Sequence, residues 1–150
     1  MLKPIAIATA LCGALDILFA MILTAFYGRE IGKMLRGVAA GPFPNATDWG
    51  AGGAVLGLLV HFTLMAIMAT VFMVVVRSRP TLLNAPLVTG IVYGLITYVV
   101  MNLVVIPLRF PTAWPPKTSF VITQLFAHLV LVGIPMALIA ARSFRPTATA

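Results

Sequence analysis

Asp16, His61 and His128 are the residues of this chain whose types and positions could do chemistry, each standing near the middle of a long apolar run. A carboxylate and two imidazoles at one depth can share a proton or pass it along a relay. The two histidines could also act as axial ligands to a b-type haem. An ionisable residue inside a membrane span is tolerated where protein or trapped water shields it from lipid. Two neutral polar residues, Asn102 and Gln124, lie in the same runs, Gln124 one turn before His128. These five form the candidate intramembrane polar site. No Ser–His–Asp order, carboxylate pair, metal-ligand spacing or phosphate loop accompanies them, so no catalysis is expected. Apart from the haem alternative, no cofactor or metal is expected either.

Four apolar runs must position these residues: 5–27, 51–76, 86–107 and 120–141. Each holds about 20 residues or more, enough at ~1.5 Å rise per residue to cross a ~30 Å hydrocarbon core. The composition agrees, at 61% hydrophobic and 9% charged with a mean hydropathy of +1.09. Soluble domains carry about 25% charged residues. The expected fold is therefore one all-α membrane domain, a four-helix bundle across all 150 residues. The net charge of +7 comes from lysines and arginines between or beyond the runs, where they anchor helices at the membrane surface. No basic cluster is interleaved with aromatics, which argues against nucleic acid. The single cysteine, Cys12, rules out an intramolecular disulfide and reads as a buried thiol in the first run.

His61 lies about ten residues, or ~15 Å, into the second run, and His128 about eight residues into the fourth. These helices run the same way, so the imidazoles are expected at similar heights. Asp16, about eleven residues into an oppositely directed helix, also falls near the midplane. Small residues share the polar faces. Gly53 and Gly57 form GxxxG on the His61 stripe, Gly90 and Gly94 form another on the third span, and Cys12, Gly13 and Ala20 accompany Asp16. GxxxG allows close backbone approach, so these faces are expected to point into the bundle. An Asp–His pair that fastens two helices would satisfy burial with no further role.

The connectors carry their own signals. In "REIGKMLRGVAA", Ile31, Met34, Leu35 and Val38 recur at helical spacing, which predicts a short amphipathic helix in the membrane interface. "GPFPNATDWG" is turn chemistry leading to Asp48, an expected N-cap for the second span. "RFPTAWPPKTS" places Trp114 at interface height, with Arg109 and Lys117 as anchors. Pro135 is expected to kink the last span. The second and fourth spans share a histidine, an apolar stretch and an Arg-Ser exit with proline, a faint repeat consistent with tandem hairpins. Five cations fall on each side of the membrane. Arginine pairs tight against two helix ends, with both tryptophans opposite, favour cytoplasmic termini.

The stretches "LLVHFTLMAI", "TGIVYGLITYVVMNLVVIPL" and "QLFAHLVLVGIPMAL" resemble the YagU-like family of bacterial inner-membrane proteins. The similarity runs from about Gly50 to Arg145 and includes His61, Pro107 and His128; Asp16 has no counterpart in it. The resemblance implies a multi-pass inner-membrane location and implies no activity. The leading functional expectation is a non-enzymatic bundle that acts through helix contacts, as a homo-oligomer or as an accessory subunit of a membrane complex. The alternative is a dimer that moves protons or small solutes through Asp16, His61 and His128.

Overall fold

The computed structural model describes residues 1–144. Arg145, expected among the terminus-side cations, and the proline after it lie outside the described residues. Among the described residues five helices form the fold: α1 (Leu2–Phe26), α2 (Ile31–Ala39), α3 (Gly50–Ser78), α4 (Pro86–Arg109) and α5 (Thr118–Phe144). No β-strand occurs among the described residues. The four long helices coincide with the four apolar runs and are long and apolar enough to cross a membrane. Of their most apolar stretches, 22–33% is buried inside the protein. The rest of that apolar surface faces outward, which suits a hydrocarbon surrounding and not water.

α1 ends where Gly28 turns to a φ of 65° and the Arg29 N–H reaches the Thr24 carbonyl at 2.9 Å, the left-handed stop that glycine adopts without a Cβ penalty. The helix expected over "REIGKMLRGVAA" is α2. Its apolar side buries Leu35 and Ala39, and it packs on the first turns of α3. The expected Asp48 cap is not formed. Asp48 closes a short 3-10 turn (Pro44–Asp48) and accepts the Thr47 hydroxyl at 3.4 Å, and α3 starts after Trp49 with no side-chain cap. Trp49 stands between the turn and the helix as the N-cap, so Asp48 is one residue too early to cap.

α1 packs against α3 and the second half of α5, and α4 packs against that same half of α5. The buried core follows from this. Ala8, Cys12, Phe72, Met73, Met136 and Ala140 fill the end of the bundle nearest the two termini. Tyr93 joins α4 to α3 there, its hydroxyl donating to the Met68 carbonyl at 2.7 Å and its ring 4.7 Å from Phe72. The first half of α5, Thr118–Phe126, buries no residue. The bundle is closed at the terminus end and splayed at the other.

Candidate functional site

Two helices widen at the level of the polar residues. Val99–Val105 in α4 and Ala127–Gly133 in α5 adopt the i→i+5 pattern of a π-helix, and each is followed by Ile-Pro: Ile106-Pro107 and Ile134-Pro135. Proline has no N–H and its ring crowds the carbonyl four residues back, so the preceding turn widens to reset its hydrogen bonds. The kink expected at Pro135 thus appears as a π stretch, and Pro107 produces a second. Asn102 lies in one widened stretch and His128 in the other. The Cys12 thiol, buried as expected, donates to the Val132 carbonyl in the α5 stretch at 3.6 Å.

Glycines bring α4 and α5 together. The carbonyl of Gly133 faces the Cα of Gly90, and that of His128 faces Gly94, so closely that a Cβ at either position would collide with backbone. Gly53 and Gly57 also pack tightly, but against the Ala46 and Leu35 carbonyls of the α2 region and not against another long helix. Both GxxxG motifs are therefore occupied by contacts within the chain.

Thr97 and Asn102 engage both ring nitrogens of His128. The Thr97 hydroxyl donates to the Gly94 carbonyl at 2.9 Å, so toward His128 Nδ1, 3.1 Å away, its oxygen acts as acceptor. Nδ1 then carries the proton of a neutral imidazole. Nε2 is left as an acceptor for the Asn102 Nδ2 amide at 3.3 Å. This orientation leaves Asn102 Oδ1 buried with no hydrogen-bond partner. Asn102 itself is 5% exposed and His128 8%.

Asp16 and His61 form a separate pair between α1 and α3. His61 Nε2 donates to the Gly13 carbonyl at 2.9 Å, and Nδ1 faces Asp16 Oδ2 at 3.9 Å. With Nε2–H donating to the Gly13 carbonyl, Nδ1 is the ring nitrogen that faces the carboxyl. No hydrogen bond or ion pair joins this pair to His128 among the described residues. The expected trio is thus divided, and a single relay through all three lacks its link. A shared haem would need a free ring nitrogen from each histidine. His128 has both engaged, and His61 has one engaged and the other turned to Asp16, so this donor set does not fit the group.

The splayed end encloses a cavity of about 650 Å³. The last turns of α1 (Ala20, Leu23, Thr24), the outer part of α4 (Asn102, Ile106) and the first turns of α5 (Phe120, Thr123, Gln124) form its walls. Trp114, Arg29 and Lys117 stand on the connectors at its rim. Of the expected polar site, this chamber gathers Asn102 and Gln124; His128 backs Asn102, and Asp16 and His61 lie elsewhere. The hydroxyls of Thr24 and Thr123 bond to carbonyls of their own helices.

Arg109 corrects an expectation. Instead of a free surface anchor it is partly buried, its Nε donating to the Gly41 carbonyl at 2.7 Å and Nη2 to the Ala40 carbonyl at 2.8 Å. It caps the C-terminal end of α2 from α4. Thr123, the bond from His128 to Thr97, the cap made by Arg109 and the chamber role of Trp114 were not foreseen from the sequence. One signal was in the sequence: Ile-Pro recurs shortly after Asn102 and after His128. Comparison with known proteins finds no matching family model, no matching curated protein and no matching solved structure.

Proposed function

We propose that this protein is a non-enzymatic membrane protein that holds a small ligand in the chamber between α1, α4 and α5. The observation that carries the reading is the cavity of about 650 Å³ itself, whose apolar walls also bear Asn102, Gln124, Thr24 and Thr123. Ligand sites combine apolar walls with a few convergent polar groups in cavities of about 300–1,000 Å³. The YagU-like resemblance supports a bacterial inner-membrane location. With both termini cytoplasmic, the chamber opens on the periplasmic side.

The test is native mass spectrometry of the protein extracted gently from its own membranes, beside a Thr123→Trp variant that fills the chamber. The expected result is a small-molecule adduct on the wild type that the variant lacks. Identical masses for the two proteins would refute the reading.

Assembly as a homo-oligomer or within a larger complex is a second reading, favoured by one observation. The Asp16 and His61 side chains remain 25% and 12% exposed at the α1–α3 surface, where lipid is a poor neighbour for them. A second chain over that face would complete their burial. The same spectra test it through the mass of the intact assembly.

A further inference from the structure

The two widened helices are not held alike. In α5 a sharp boundary falls between Phe126 and Ala127. No residue of Thr118–Phe126 is buried, whereas Ala127 is 1% exposed and begins a stretch pressed onto α4. There the His128 carbonyl and the Leu129 Cα crowd Gly94, and the Gly133 carbonyl crowds Gly90. Among the described residues no hydrogen bond or ion pair joins a side chain of Thr118–Phe126 to another helix. Thr123 bonds instead to the Ser119 and Phe120 carbonyls of its own turn. The ring contact of this half, Phe19 to Phe126 with centroids 5.3 Å apart, lies right at the boundary.

The other two walls of the chamber are braced. The outer end of α4 also follows a π stretch, but Arg109 fastens it to the Gly41 and Ala40 carbonyls at the end of α2. α2 in turn packs on α3, and α3 holds α1 through His61 and the Gly13 carbonyl. The third wall, which carries Phe120, Thr123 and Gln124, has no such tie. A segment with few buried contacts moves at little cost, and helices bend where a proline or a π turn interrupts them. Thr118 stands nine residues from Ala127, so a bend of about 15° carries it about 3–4 Å.

From this asymmetry we propose that the outer half of α5 is a hinged wall of the chamber, pivoting at Phe126–His128. An outward swing parts Phe120 and Gln124 from Leu23 and Thr24 of α1, which line the same space, and opens the chamber. An inward swing brings them together and shuts it. The motion stands on the packing of α5; that it admits a ligand rests on the chamber reading above.

Electron–electron double resonance on the full chain in phosphatidylcholine nanodiscs tests the hinge. Cys12 stays in place, since at 0% exposure it takes no label. A label on Ile22→Cys is paired in turn with Thr118→Cys on the wall, Leu108→Cys on the braced end of α4, and Leu138→Cys on the packed half of α5. All four positions are exposed and outside the chamber lining. The Ile22–Thr118 distances should spread more widely than the other two by about 3–4 Å, the travel of the lever. With Ile122→Cys in place of Thr118→Cys, five residues from the pivot, the excess should fall to about 2 Å.

An Ile22–Thr118 spread no wider than Ile22–Leu108 overturns the hinge and leaves the chamber reading standing. So does an equal excess at Leu138, which would mean that all of α5 moves, or an excess at Thr118 with none at Ile122, which would mean that the helix end unwinds. A graded excess beside identical native masses for wild type and Thr123→Trp keeps the hinge and removes the ligand.

Discussion

Gly94 meets the backbone carbonyl of His128 with no room for a Cβ between them. The contact couples packing to polar chemistry. It holds the widened stretch of α5 against α4 at the residue whose imidazole Thr97 and Asn102 bond. Close approach of this kind replaces the hydrophobic drive that helices lack among lipid tails.

Gly94→Ala is therefore expected to push α4 and α5 apart and to destabilise the protein by about 1–3 kcal/mol, the usual cost of overpacking. Gly37→Ala is the control, since nothing lies within 4 Å of a Cβ built there. In the interior of α2 it should be neutral or stabilising by up to about 1 kcal/mol. Thermal unfolding of both variants in one detergent checks the contrast.

His128 is expected to be a neutral imidazole with its proton on Nδ1, because Thr97 can accept from it and Asn102 can donate to Nε2. Nitrogen chemical shifts of a ring-labelled protein distinguish the tautomers directly. In Asn102→Leu the Nε2 signal should move toward that of a nitrogen without a donor, and Nδ1 should stay in place. A proton found on Nε2 in the wild type would reverse the orientation assigned to Asn102.

The parts of this architecture differ in how far sequence could reach them. Span positions are legible because they depend on a sum over some twenty side chains, and no single misreading moves them. Depth alone brings Asp16 level with both histidines; that His61 is its partner follows from the packing of α1 on α3. The partner of His128 is harder, because a π stretch adds a residue to the turn and rotates everything beyond it. A 3.6-residue wheel drawn through Pro107 or Pro135 misplaces the faces. GxxxG at 53–57 announces a close neighbour without naming it, and the neighbour is the short helix α2. The chamber is legible least of all, since it arises from what the first half of α5 does not touch.

Arg109 ties α2 to α4 by donating to two carbonyls that the end of α2 leaves unpaired. Arg109→Gln keeps one donor and removes the charge that favours a helix C-terminus. The expected loss is about 1–2 kcal/mol, by analogy with other charge-assisted hydrogen bonds. Local opening should concentrate in residues 31–41. Hydrogen exchange resolved by peptide checks this: faster exchange over α2 with α5 unchanged is the expected pattern, and uniform acceleration would mean that Arg109 supports the whole fold.

The Asp16–His61 pair can be measured as an interaction. Asp16→Asn keeps the shape and removes the charge, and His61→Gln keeps a donor for the Gly13 carbonyl while removing the titratable ring. In a double-mutant cycle the two changes should be non-additive by about 0.5–1.7 kcal/mol, the range found for polar pairs between membrane helices. The 3.9 Å separation argues for the lower part of that range, since it exceeds direct hydrogen-bond length. Additivity in the Asp16–His61 cycle would show that the two side chains are neighbours without being partners. The exposed face they occupy would then have no polar fastening of its own.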